Sequence, residues 1–170
     1  ELKMRIYLIG MPAAGKSTFG RALAQALSLS FTDLDHYIAE LAQKSIATIF
    51  EQEGETYFRT LERDALHKLS AQNNIVIATG GGTPCFFDNI AYMLSQGQVV
   101  FLETDLETLA ERILQQSGRP MFAGLSSEQI QEKLEILYKK RLPFYRQAHI
   151  RFNADEMPLS YLQNLLLKPD

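Results

Sequence analysis

A doubly wound α/β domain on a five-stranded parallel sheet is the fold this sequence predicts, and three observations carry it. Five short apolar runs recur along the chain, each separated from the next by residues with helical spacing. That alternation builds a parallel sheet with helices on its faces. One run, Ile75-Val76-Ile77-Ala78, has no polar interruption, as in a strand covered on both sides. The first run, Ile6-Tyr7-Leu8-Ile9, opens directly into Gly10-Met11-Pro12-Ala13-Ala14-Gly15-Lys16-Ser17. This is the G-x-x-x-x-G-K-[ST] spacing in the strand-to-helix context it needs.

The elements follow in order. Met4 to Ile9 reads as a buried strand, and Lys16 to Leu27 as a helix with leucine and alanine every three or four residues. Phe31 to Asp33 is a short strand with an acidic end. Asp35 to Ala42 and Ile46 to Glu53 read as two short helices, and Thr56 to Leu69 as a longer one with Leu61, Ala65, Leu66 and Leu69 on one face. After the strand at Ile75 to Ala78, a helix is expected from about Phe86 to Leu94, with Phe86 and Phe87 in the core. Val99 to Leu102 is a strand and Leu106 to Gln115 a helix. Residues 116–125 lack periodicity. Ser127 to Arg146 is the longest helix, capped by Ser126 or Ser127. Ile150 to Phe152 and Leu159 to Leu166 close the pattern as strand and helix.

The chain has 170 residues, the size of one domain spanning 1–170. It is 46% hydrophobic, enough for a substantial core. A net charge of −3 argues against a nucleic-acid or membrane-surface protein. The single cysteine, Cys85, excludes an internal disulfide and a cysteine zinc site, and points to a reducing, cytoplasmic compartment. No apolar run is long enough to span a membrane. The opening apolar stretch is too short for a signal peptide and leads straight into the motif.

The motif names a ligand class. Its glycines let the backbone approach phosphate oxygens, its N–H groups form an anion nest, and the following helix adds its positive end. Lys16 supplies charge for the outer phosphates and the Ser17 hydroxyl is suited to Mg2+. In such a sheet, ligands gather at the carboxyl ends of the strands. The acidic pair Asp33-Leu34-Asp35 and the run Gly80-Gly81-Gly82 fall at two other strand ends. If the backbone stays extended, both aspartates point the same way. One can serve a metal through water and the other can take a proton from an attacking hydroxyl; alternatively, one merely caps the helix that follows. Arg59 and Glu62, three apart on a helix, can pair. They form either a solvated surface pair or an arginine fork oriented toward a carboxylate. Three glycines in a row suggest backbone brought close to a ligand. Arg119 lies in the aperiodic segment and reads as a lid arginine or as a mobile surface residue. Arg141 and Tyr145 end the long helix, where a basic cluster can also simply favour the helix terminus.

Taken together, these residues resemble the shikimate kinases. The markers are the phosphate loop at 10–17, Asp33-x-Asp35, Phe58-Arg59-x-x-Glu62, Thr79-Gly80-Gly81-Gly82, Arg119-Pro120 and Arg141-x-x-x-Tyr145. The resemblance covers nearly the whole chain. It implies a P-loop kinase fold and transfer of the ATP γ-phosphoryl to the 3-hydroxyl of shikimate, on the way to chorismate and the aromatic amino acids. It implies that Ala13, Ala14, Gly15, Lys16, Ser17 and Thr18 cradle the nucleotide, with Arg112 against adenine and Arg119 on the phosphates. Ser17, and Asp33 through water, would hold Mg2+. Asp35 would bind the shikimate hydroxyls and act as base. Arg59 and Arg141 would hold its carboxylate, and Gly81, with Gly80 and Gly82, would supply a backbone donor. A mobile substrate segment at about 32–61, a lid at about 116–125 and a monomer complete the expectation.

Three departures accompany the resemblance. Ala13 stands where glycine is common. Leu34 replaces a small hydroxyl residue, with its side chain expected to point away. Asn153-Ala154-Asp155-Glu156 carries no arginine, so base contacts there are expected to be backbone or apolar. The nearest rivals are a gluconate kinase and a nucleoside monophosphate kinase. A GTPase is disfavoured by the absence of an Asn-Lys-x-Asp signature, and an ATP-driven binding module rests only on Glu103 after a strand.

Overall fold

The computed structural model describes residues 3–116 and 120–168. Five parallel strands, β1 (Arg5–Ile9), β2 (Ser30–Asp33), β3 (Ile75–Ala78), β4 (Gln98–Leu102) and β5 (Ile150–Phe152), lie in the order β2-β3-β1-β4-β5. The chain runs outward from β1 to β2, returns to β3, and then crosses to β4 on the other side of β1. The strand order therefore reverses beside β1, where open sheets of this kind leave a crevice. Every residue of β3 and most of β1 and β4 are buried, which is why these runs are apolar throughout.

Helices α1 (Lys16–Leu27), α2 (Leu34–Ala42), α3 (Ile46–Glu53), α4 (Glu55–Leu69), α5 (Asn89–Gln96), α6 (Leu106–Gln115), α7 (Ser127–Tyr145) and α8 (Leu159–Leu166) flank the sheet. Most match the expected bounds within a residue. Ser126 proves to be the cap of α7: its side chain accepts the Gln129 N–H while Gln129 reaches back, closing a capping box.

The helix expected from Phe86 is the main misreading. Residues Thr83–Cys85 form a 3-10 turn, and the α-helix starts only at Asn89. Phe86 is extended and Phe87 sits at φ +50°. Nor do the two rings enter the core. The Arg59 guanidinium lies 4.0 Å from the Phe86 ring centroid and that of Arg63 4.6 Å from Phe87. Cation–π contacts with α4 thus hold this segment out of helical register.

Sheet register sets up the site. Asp33 pairs with Ala78, and Ala78 with Leu8. The ends of β1, β2 and β3 are therefore level, and the loops that leave them converge on one edge.

Candidate active site

The phosphate loop is shaped by its neighbours. Gly10 has φ +149°, and a Cβ there would lie 2.6 Å from the Leu102 carbonyl oxygen of β4. Only glycine lets the loop leave β1 so close to the adjacent strand. Lys16, at the start of α1, donates from Nζ to the carbonyls of Gly10 (2.7 Å) and Met11 (2.9 Å), which folds the ammonium over the loop. Ala14 is buried and Gly15 caps α1. Ser17 and Thr18 occupy its first turn, where free N–H groups point outward. Ala13 adopts φ +66°, a conformation that costs a non-glycine residue. Ala13→Gly is expected to raise stability by about 0.5–1 kcal/mol, roughly 2 °C in Tm, at unchanged kcat; a thermal melt checks it.

The acidic pair is not an extended strand. Leu34 already begins α2 and is fully buried, so its side chain does point away. Asp33 has two partners. Its Oδ1 accepts the His36 N–H at 3.0 Å as the cap of α2, and its Oδ2 accepts the Ser17 hydroxyl. Asp35, the second residue of α2, faces the glycine run: a Cβ on Gly80 would stand 3.2 Å from Asp35 Oδ1. That oxygen is buried and has no hydrogen-bond partner. Burial, then the nearby charges of Glu62 and Asp33, push the Asp35 carboxyl up to about 6, against the opposing pull of Lys16 and Arg59.

Arg59 and Glu62 form a buried pair, with 8% and 1% of their surfaces exposed, so the solvated-pair reading fails. Glu62 Oε1 accepts from Arg59 Nη1 at 3.0 Å, and Glu55 Oε1 accepts from Arg59 Nε and Nη2 at 3.4 Å. Burial raises the Glu62 carboxyl, opposed chiefly by Arg59. Arg141 is also buried, and its Nη1 has no partner. It approaches Gly81 so closely that a Cβ there would lie 2.7 Å from Nη1. Tyr145, one turn along α7, donates its hydroxyl to the Gly81 carbonyl at 2.6 Å. Two guanidinium groups thus flank one glycine run beside Asp35, and of the basic residues ending α7 only Arg141 is turned inward, Lys139, Lys140 and Arg146 being exposed.

Arg112 ties the other side of the phosphate loop. It donates to the Ala13 carbonyl at 3.2 Å and to Asp155 at 3.3 Å. Asp155, in the 153–156 segment that carries no arginine, therefore supplies an anion that holds Arg112. Arg119 lies outside the described residues. Thr83 and Glu55 escaped the sequence reading, which placed Phe86 only in the core; the one available signal was a hydroxyl residue directly after three glycines. Cys85 is half-buried, and burial raises its thiol.

Comparison with known proteins agrees with this geometry. The family model described as shikimate kinase matches residues 12–167. A shikimate kinase of Parabacteroides distasonis is 42% identical over 90% of this chain and 89% of its own. The crystal structure of a Bacteroides thetaiotaomicron shikimate kinase superposes with a TM-score of 0.93 at 39% identity, covering 97% of this chain and 99% of the other. That of Acinetobacter baumannii, in complex with shikimate, gives 0.87 at 37% identity, covering 98% and 92%. With a phosphate loop and two buried arginines meeting at one glycine run, and relatives of this similarity along almost its full length, the chain belongs to the shikimate kinase family.

Proposed function

We propose that the carboxyl edge of this sheet divides into a nucleotide half and an acceptor half, with Asp35 as the general base between them. The reaction is the family's own: phosphorylation of the 3-hydroxyl of shikimate by ATP. The observation that best supports the assignment is the unpartnered, buried Oδ1 of Asp35 beside Gly80. A hydroxyl donated to it would satisfy that oxygen, and a carboxyl near 6 is matched to taking a proton close to neutral pH.

Arg59 and Arg141 would hold the acceptor's carboxylate. Arg141 has an unpaired, buried Nη1, a costly state that an anion relieves. Gly80, Gly81 and Gly82 let the backbone stand close enough to donate an N–H to the same ligand. Lys16 and the loop from Ala13 to Thr18 would bind the phosphates, with Arg119 closing over them and Arg112 backing the base. Phosphoryl transfer asks chiefly for this positioning and charge stabilisation.

Mg2+ fits the donor set. Ser17 and Asp33 offer hard oxygens already in contact with one another, and among the described residues no group of three or more acidic, histidine or cysteine side chains could hold a metal alone. Mg2+ is typically held by one or two protein oxygens together with phosphates and water. It would neutralise phosphate charge. The segments at about 32–61 and 116–125 are proposed as the moving parts, in a monomeric cytoplasmic enzyme. No helix among the described residues is long and apolar enough to cross a membrane.

ADP release measured with shikimate, gluconate and nucleoside monophosphates tests the substrate class: turnover with shikimate alone is expected, and none with shikimate would sink the reading. Arg59→Lys is expected to raise the shikimate KM about 10-fold with the ATP KM unchanged, because a point charge cannot reproduce the guanidinium fork. Steady-state kinetics in both substrates check it.

A further inference from the structure

We infer that Thr83 is a positioning residue for the acceptor site, pinning Glu62 so that Arg59 keeps its fork turned toward the ligand's carboxylate. Thr83 is fully buried at the start of the turn that follows the glycine run. Its hydroxyl donates to Glu62 Oε2 at 2.9 Å, while Glu62 Oε1 accepts from Arg59 Nη1 at 3.0 Å. One carboxylate therefore bridges Thr83 and Arg59, and each end of it is fixed by one donor.

Thr83 is itself locked. Its N–H donates to the Gly80 carbonyl at 3.1 Å, and its own carbonyl accepts from Asn89 Nδ2 at 2.9 Å. Its Oγ1 also lies 3.3 Å from where a Gly80 Cβ would stand, the same point that faces Asp35. The turn that shapes the glycine run thus sets the angle of the guanidinium on α4. Side chains acting on one another through a shared buried carboxylate couple strongly.

Several charged or titratable groups surround Glu62. Arg59 lies on its own helix, where Glu55 shares that arginine. Asp35 approaches from α2, Arg141 from α7 and Cys85 from the turn. Burial favours a neutral Glu62; Arg59, Thr83 and Arg141 favour the anion. Removing the Thr83 donor takes away one support of the charged form. Glu62 then takes a proton at higher pH, and its hold on Arg59 is lost there too.

The inference rests on Arg59 holding the acceptor, so Thr83→Val, Thr83→Ser and Arg59→Lys are measured together. For Thr83→Val, the shikimate KM at pH 7 is expected to rise about 5- to 10-fold, with kcat within about 2-fold and the ATP KM unchanged. The rise in KM on acidification is expected to begin about one pH unit higher than in the parent, the scale of one hydrogen bond to a charged group. Thr83→Ser, which keeps the donor, is expected to restore both. An unchanged KM-against-pH profile in Thr83→Val overturns the inference, as does Thr83→Ser failing alongside it. A parallel loss of kcat and of affinity for both substrates with a lowered Tm overturns it as well, because that marks a merely structural role. If Arg59→Lys leaves the shikimate KM alone, the underlying assignment of Arg59 fails instead.

Discussion

Asp35→Asn is expected to lower kcat at least about 10^2-fold, since the proposed proton acceptor and ligand to the acceptor hydroxyls would be lost together. The same change is expected to stabilise the protein. Burial and the charges of Glu62 and Asp33 hold the folded carboxyl near 6, against about 3.9 in an unfolded chain. The folded state therefore binds this proton more tightly, and ionising Asp35 opposes folding. That cost is absent below about pH 4, grows between about 4 and 6, and is complete above 6. It is on the order of 3 kcal/mol, or roughly 6–12 °C in Tm for a domain of this size. Asn carries no charge, so its advantage should be full at pH 7–8 and vanish as the pH falls toward 4. Thermal melts across that range check the sign, alongside turnover at pH 7.5. A variant that keeps near-parental kcat removes Asp35 from the mechanism. One that loses kcat without gaining stability leaves it as a ligand whose charge was never strained. Storing strain in a working group at the expense of stability is a common trade.

Gly82→Ala is expected to reduce kcat/KM for shikimate about 10^2-fold while the ATP KM stays within about 2-fold. Gly82 has φ −91° and ψ −10°, which alanine adopts freely, so backbone strain plays no part. The methyl is the whole effect: it would lie 2.7 Å from Arg59 Nη2, 2.9 Å from Nη1 and 3.0 Å from Cζ. Arg59 cannot easily yield. Glu62 holds one end of its fork, Glu55 the other, and the Phe86 ring lies against it. A guanidinium pushed by about 1 Å loses its alignment with a bound carboxylate, and misplacements of that size cost about two orders of magnitude. Kinetics in both substrates decide it. Retained kcat/KM for shikimate would mean that Arg59's position does not govern acceptor binding.

The phosphate loop and the order of the elements were legible in the sequence because each leaves a local trace. The phosphate loop is contiguous, so its spacing and flanking elements are readable without a fold. The three inner strands, β1, β3 and β4, declare themselves as apolar runs, because parallel strands covered on both faces must be apolar. Relations between distant segments were less legible. Whether Asp33 and Asp35 share an extended face or one of them caps a helix is open in the sequence; Leu34 is drawn into the core and starts a helix, so Asp33 caps while Asp35 turns toward Gly80. Phe86 and Phe87 looked like core; instead Phe86 packs half-buried on Arg59 of α4 and Phe87 lies exposed beside Arg63.

By itself, then, the sequence determined the ligand class of the loop and the order of the elements, since those depend on spacing along one chain. Only the tertiary structure decided that Arg59 and Glu62 are buried, that Arg141 meets Gly81, that Arg112 spans Ala13 and Asp155, and that Thr83 grips Glu62. The reason is physical. A side chain's burial, charge state and partners are set by what other elements bring within a few ångströms of it. The level ends of β1, β2 and β3 are what bring these residues to one edge.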